Sequence, residues 1–352
     1  MSPEKAAIKR STLQARRAVV LLDRAGREAL MRAYRVAAAD IRAQMEAAAG
    51  PAGAVRMEQL QPVLRQVEGR LAGLAREGQD ILNEGLQKAA RYGAAGVSGG
   101  LEAGITSSAA MRVADEAVRF VQRFVAADGL QLSDRIWRVD RSARDAVVNA
   151  IERGVIQGQG AAEASRDFLL RGVAVPADVA AKASAAQAGV IAREVATALT
   201  SADGAMANAM RLFRTEINRA HGEAYMAGGE DKPYFGGWKF ELSPAHPEHD
   251  ICDLLAEQNL YGLGSGVYPS REKCPWPAHP NTLSFVTMVF ADEITAEDRA
   301  GKEKPMEALA RLPAEVRRGV LGKGKAEVFD AGRLRQGMIR APLRAVRRRI
   351  GG

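Results

Sequence analysis

This sequence predicts a mainly α-helical protein: a long helical N-terminal region, a small α+β module of short antiparallel strands around a loop that zinc would pin, and a basic helical tail. Three observations carry that reading. Apolar residues recur at spacings of three and four from the start of the chain to about Gly229. Strict alternation of apolar and polar residues is confined to two short stretches after Pro233. Alanine is abundant while aromatic residues are only 5% of the chain, which suits closely packed helices better than a bulky sheet core.

Leu22, Leu30, Tyr34, Ile41 and Met45 keep to one helical face, and the breaker Gly50-Pro51 closes that segment. From Leu60 the spacing becomes heptad-like. Leu60, Leu64, Val67, Leu71 and Leu74 alternate by four and three, and Ile81 resumes the phase after Gly78, the pattern of long helices packed on one another or on a partner chain. Pro62 fits such a helix only in its first turn. Tyr92 to Gly104, rich in Gly, Ala and Ser, reads as a hinge or a helix corner. Helical patterning returns over Met111–Ala126 and again after the cap candidate Leu132-Ser133-Asp134, where Ile136, Val139, Ala143, Val147 and Ile151 follow one another at helical spacing. Gly154 to Gly160 predicts a stop, followed by a helix over Ala161–Leu170, a further one with Pro176 in its first turn, and a long one over about Asp203–Ala227 closed by Gly228-Gly229.

After Pro233 the pattern changes. Trp238, Phe240 and Leu242 alternate with Gly237, Lys239 and Glu241, and Leu283 to Phe290 alternates too, so the two stretches predict a pair of strands. Between them lies a Pro- and Gly-rich loop with no regular pattern, uncommon in a compact domain unless something pins it. All four histidines and both cysteines of the chain fall between His221 and His279, and five of the six are His246, His249, Cys252, Cys274 and His279. Imidazole and thiolate are donors that zinc prefers, and close ligands before and after a loop are the usual layout of a tetrahedral structural site. His249, Cys252, Cys274 and His279 are the predicted ligands; His246, hemmed in by Pro244 and Pro247, reads as a turn residue. His221, and the group Arg214, Thr215 and Glu216, read as packing and hydrogen-bonding residues of the preceding helix, since neighbours two apart on a helix do not face each other.

The chain therefore divides into a helical arm region over 1–130, a helical core over 131–232, the His/Cys module over 233–292 and a basic helical tail over 293–352. Its net charge of +8 is concentrated at the ends. Residues 301–352 hold 14 Lys/Arg against 5 Asp/Glu, and residues 1–50 hold 10 against 5, so the middle is acidic. Arg340, Arg344, Arg347, Arg348 and Arg349 crowd together with no acid among them, a density suited to a phosphate backbone or an acidic protein surface. No apolar run approaches the ~20 residues of a membrane span, and Ala18–Leu22 is too short for the core of a signal peptide. Two cysteines cannot form a disulfide framework, which points to a reducing compartment.

The stretch Leu132–Phe290 resembles the bacteriophage head morphogenesis family, the minor head proteins related to the F protein of Mu-like phages. The matching pieces keep the family's order: "LSDRIW" from Leu132, the Gly-x3-Gly-x4-Glu-x2-Arg turn at Gly154 to Arg166, "FRTEINRAHGEAY" from Phe213 to Tyr225, a Trp-bearing strand at Trp238, Asp-x-Cys at Asp250 to Cys252, and "PAHPN" at Pro277 to Asn281. "VLGKGKAEVFDAG" at Val320 to Gly332 is also similar to the ends of such proteins. Many members continue after the last element with Cys-x-Cys, where this chain has Thr282 and Ser284. That departure either abolishes metal binding or shifts it onto His249 and Cys274.

The resemblance implies a structural minor capsid protein, not an enzyme, present in multiple copies in the virion after assembly in the host cytoplasm. It would bind the portal protein, the major capsid protein or both, with packaged double-stranded DNA as a further partner through the arginine-rich tail. The alternatives are a metal-dependent nuclease, with His246, His249, His279 and Asn281 as its residues, and a transient assembly scaffold. The chain has no G-x-S-x-G, no Walker A run and no H-E-x-x-H, since His246-Pro247-Glu248-His249 has the wrong spacing and a helix-breaking proline.

Overall fold

A computed structural model describes residues 2–51, 53–99, 107–125, 128–246 and 248–351. Helices dominate, with one small sheet among them, as the periodicity predicts. The helices are α1 (Pro3–Ala48), α2 (Met57–Ser98), α3 (Ser108–Arg123), α4 (Leu132–Leu170), α5 (Ala177–Ala183), α6 (Ala188–Thr200) and α7 (Ala205–Gly229). The strand β1 (Phe235–Glu241) follows, then α8 (Ile251–Glu257), β2 (Val267–Tyr268) and β3 (Phe285–Phe290). The chain continues with α9 (Ala296–Ala300), α10 (Pro305–Arg311), α11 (Ala314–Leu321), α12 (Lys323–Asp330) and α13 (Leu343–Ile350).

The chain forms two compact units, one from Met1–Val20, Leu86–Phe120 and Thr215–Gly352, the other from Leu21–Gly85 and Val121–Arg214. These units do not follow the four consecutive segments expected from the sequence. A helix as long as α1 or α2 has one end in each core, so the division is discontinuous along the chain.

In the second unit the heptad residues Leu60, Leu64, Val67, Leu71 and Leu74 are all buried, in a core that also holds Tyr34, Ile41 and Met45 of α1 and Val147, Ile151, Ile191 and Leu199 of α4 and α6. The apolar stripe is thus satisfied within the chain. After Gly78 the buried position is Leu82 rather than Ile81. Pro62 stands in the second turn of α2, not the first; it is exposed, so the carbonyl that its missing N–H leaves unpaired is on the side of the helix open to water. The stop expected at Gly154 to Gly160 is absent, and α4 runs through it unbroken. These glycines serve contact instead: a Cβ on Gly158 would lie 2.2 Å from the backbone nitrogen of Ala186. The missing side chain lets the turn at Ser184–Ala186 lie against α4.

In the first unit the expected hinge at Tyr92 is likewise helix as far as Ser98; residues 100–106 lie outside the described part of the chain. Gly93 again marks a close approach, since a Cβ there would meet the carbonyl oxygen of His221 at 2.2 Å. The three strands form an antiparallel sheet in the order β2-β1-β3, with Trp238 opposite both Tyr268 and Met288 and Phe240 opposite Val286. Alternation along β1 and β3 sends Trp238, Phe240, Val286, Met288 and Phe290 into one core with Tyr225, Cys252, Leu255 and Cys274. The Tyr225 hydroxyl accepts from the Met288 N–H of the edge strand at 3.1 Å and shares a 2.9 Å hydrogen bond with Thr12.

The segment between β1 and β3 has regular structure and side-chain anchors of its own, where the sequence predicts a patternless loop. It contains α8 and β2, and Asn259 organises its glycine-rich turn: Oδ1 accepts from Leu263 and Gly264, and Nδ2 donates to the Asp298 carbonyl at 2.7 Å. The basic segment is a packed subdomain rather than a loose tail. Leu309, Leu321, Leu334, Met338 and Val346 form a second small core that includes Leu254 of α8.

Candidate metal centre

The site is assembled where α8 begins. Asp250 caps that helix, its Oδ1 accepting from the Cys252 N–H at 2.6 Å, while Asp253 Oδ2 accepts from the Asp250 N–H at 2.8 Å. The reciprocal pair is a carboxylate version of a capping box, and it fixes both acids and the cysteine in one turn. Across from them, α7 positions the segment that leads into β3. Asn218 donates to the Thr282 carbonyl at 3.1 Å, and Thr215 Oγ1 accepts from the Asn281 N–H at 2.8 Å. Asn281 takes the left-handed conformation, φ 63°, a region that asparagine tolerates better than most residues. Buried Glu216 and Arg219 pair at 3.0 Å within α7.

Two donor groups result, and they share Asp250. In the first, His279 Nε2 lies 3.2 Å from Cys252 Sγ and 3.0 Å from Asp250 Oδ2. His279 Nδ1 is 2.8 Å from the Pro280 carbonyl, to which it can only donate, so Nε2 is left to face a thiol and a carboxylate. Such a backbone anchor on the far nitrogen is how ligating imidazoles are commonly oriented. Thr282 Oγ1 stands 3.7 Å from the same sulfur. The Ser284 hydroxyl is buried with no hydrogen-bond partner among the described residues, and it is near enough to bear on the Cys252 thiol. In the second group, His246 Nε2 lies 3.1 Å from Asp253 Oδ2 and 3.7 Å from Asp250 Oδ1.

Electrostatics distinguish the two. Burial alone would raise the Asp253 carboxyl, yet the Asp250 N–H and the imidazoles of His249 and His246 outweigh it and hold the group below its ordinary value. His249, hydrogen-bonded to Asp253 at 2.8 Å, is correspondingly raised. The second group is thus largely satisfied by its own hydrogen bonds. Cys252 is fully buried, and burial pushes its thiol up to about 11 against the opposing effect of the Ser284 and Thr282 hydroxyls. A buried, neutral thiol is a poor nucleophile. Both Asp250 and Cys252 also address the same nitrogen of His279, which precludes a relay through the ring of the kind a catalytic triad uses.

The four ligands predicted from sequence are therefore not brought together. Cys252 and His279 meet, but His249 faces Asp253, and Cys274 belongs to neither group among the described residues. Cys274 is instead a core residue, its thiol raised to about 12 by burial and the charge of Glu223. Asp250 and Asp253 are the donors that ligand spacing alone missed. Their signal in the sequence was the Asp-x-x-Asp pair at a helix start, which places two carboxylates on one turn. His246, set aside as a turn residue, does reach the site. Asn281, a residue of the nuclease alternative, contributes its backbone N–H to the frame. Arg340, Arg344, Arg347, Arg348 and Arg349 are all exposed.

These Asp, Cys and His groups could hold a metal ion. Comparison with family models, curated proteins and solved structures gives no match to this chain.

Proposed function

We propose that this chain is a structural minor head protein of a tailed bacteriophage, acting in head morphogenesis by binding the portal or the inner capsid, with its small α+β module stapled by one zinc ion. One observation carries the reading. Thr282 and Ser284, the positions at which the resembled family has Cys-x-Cys, both approach the sulfur of Cys252 beside His279. A correspondence drawn from the order of motifs thus agrees with a convergence in space that sequence order does not require. Where that family would supply two thiolates, this chain offers two hydroxyls and the Asp250 carboxylate.

Zinc accepts the nitrogen, sulfur and oxygen donors of His279, Cys252 and Asp250, and the unpartnered Ser284 hydroxyl would gain a neighbour on its buried side. The zinc would join α8 to the segment before β3, a structural task. Two measurements test the proposal. Mass spectrometry of purified particles should find the chain as a minor component that co-purifies with portal or capsid protein, and metal analysis should find about one zinc per chain, lost in Cys252→Ser. Particles without the chain would refute the virion role, and undiminished zinc in Cys252→Ser would refute the ligand set.

A second reading, a metal-dependent nuclease, is favoured by the two carboxylates at the site and by Asp250 and His279, whose side chains are each about a third exposed. Magnesium- or manganese-dependent plasmid cleavage that disappears in His279→Ala would establish it in place of the first.

A further inference from the structure

We propose that the outward face of α13, with Arg340 beside it, is a binding surface for the phosphate backbone of duplex nucleic acid, read without regard to base sequence. The inference does not depend on the metal centre or on the virion role. From Ala331 to Gly351 the chain carries seven arginines and no acid. Five of them, Arg340, Arg344, Arg347, Arg348 and Arg349, are exposed and make no ion pair among the described residues. The contrast with nearby arginines is informative. Arg311 pairs with Glu303 at 3.0 Å and Arg317 with Asp330 at 3.8 Å, so two arginines of the neighbouring helices have carboxylate partners where these five have none among the described residues.

The surface is mounted rigidly. Val346 is fully buried in the small core, Leu343 and Ile350 are partly buried on the same side, and Arg333 donates to the Ile350 carbonyl at 2.6 Å. Arginines at a helix C-terminus also favour the helix dipole. That accounts for Arg347 to Arg349 but not for Arg340 and Arg344, which lie before the helix and in its first turn.

Three features select duplex backbone over other polyanions. Among the described residues the large exposed apolar side chains all precede Gly229, so this face has no apolar anchor of the kind protein interfaces use as a hot spot. The segment 331–351 contains no aromatic residue on which single-stranded bases could stack. The apolar side of α13 is already spent on its own core and cannot enter a bilayer. What remains is a row of guanidinium groups, each able to grip a phosphate in bidentate fashion, on a helix about 12 Å long.

Fluorescence anisotropy of the full chain with a labelled duplex of about 30 base pairs tests this. With about three to five phosphates neutralised, the log–log dependence of affinity on salt should have a slope of about −3 to −4.5, a loss of about 10²-fold between 50 and 200 mM, with unrelated sequences bound alike. The triple variant Arg344→Gln/Arg348→Gln/Arg349→Gln should keep its circular dichroism and flatten the slope by about 2 to 3, and Arg348→Gln alone by about 1. Absence of binding at low salt, an unchanged slope in either folded variant, or equal affinity for polyglutamate would overturn the assignment.

Discussion

The most discriminating prediction concerns acid stability and rests on His221. This imidazole stacks on Tyr225, with ring centroids 6.1 Å apart and planes 7° from parallel, and its Nε2 is buried without a partner among the described residues. Burial first, and then the charge of Arg16, lowers its pKa from an ordinary 6.5 to about 4. In the unfolded chain the same group titrates at its ordinary value. Above that value both states are neutral and His221 is indifferent to pH. As pH falls, the unfolded chain takes up the proton first, so stability is lost progressively until the folded protein also protonates near pH 4. The full difference corresponds to about 3 kcal/mol, a large part of the stability of an ordinary domain. Glu223 works in the opposite sense: burial raises its carboxyl, so its protonation offsets part of the loss in acid. The effect of His221 must therefore be read as a difference. His221→Phe keeps a stacked ring and removes the titration. Urea denaturation of both proteins at a series of pH values should show wild type losing about 2–3 kcal/mol relative to the variant between about pH 7 and pH 4. Two parallel stability curves would refute the account, as would an imidazole resonance that titrates in the folded protein near 6.5.

Other substitutions test the packing and the site. Gly158→Ala should destabilise by about 1–2 kcal/mol, because a Cβ 2.2 Å from the Ala186 nitrogen costs more than the helix propensity it gains. Gly160→Ala, with open space around it on the same helix, should stabilise by up to about 1 kcal/mol, so thermal melts of the pair separate crowding from propensity. Trp238→Ala removes the largest fully buried side chain and should cost about 3–5 kcal/mol in a denaturant titration. Asp253→Asn weakens the α8 cap and its contacts with His246 and His249, a loss of about 1–2 kcal/mol that the chelated protein should show equally. Chelation itself should lower the melting temperature of wild type and leave Cys252→Ser unmoved, an outcome read by scanning calorimetry with and without added zinc.

The sequence by itself determined the helical class, most element positions, the pairing of the two longer strands and the neighbourhood of the site. These follow from periodicity and caps, which are local properties of the chain. Heptad spacing from Leu60 to Leu74 can be read in a window of fifteen residues, and every one of its apolar positions is buried. Structure departs from local pattern where one residue type serves two purposes. Gly154 and Gly158 predict a stop but serve as a contact surface, and nothing local distinguishes a glycine that ends a helix from one that admits a neighbour.

Only the tertiary structure decided which donors converge. Cys274 and His279 are five apart in sequence, yet one is a core residue and the other faces Cys252 and Asp250, because the chain turns through Trp276 to Pro280 between them. Distances between donors brought together from α8 and from the segment before β3 depend on how α7, the sheet and the small C-terminal core pack, and no spacing rule encodes that. The same holds for the arginine face. The sequence showed its charge, while the burial of Val346 showed which way the helix turns and left the guanidinium groups outside.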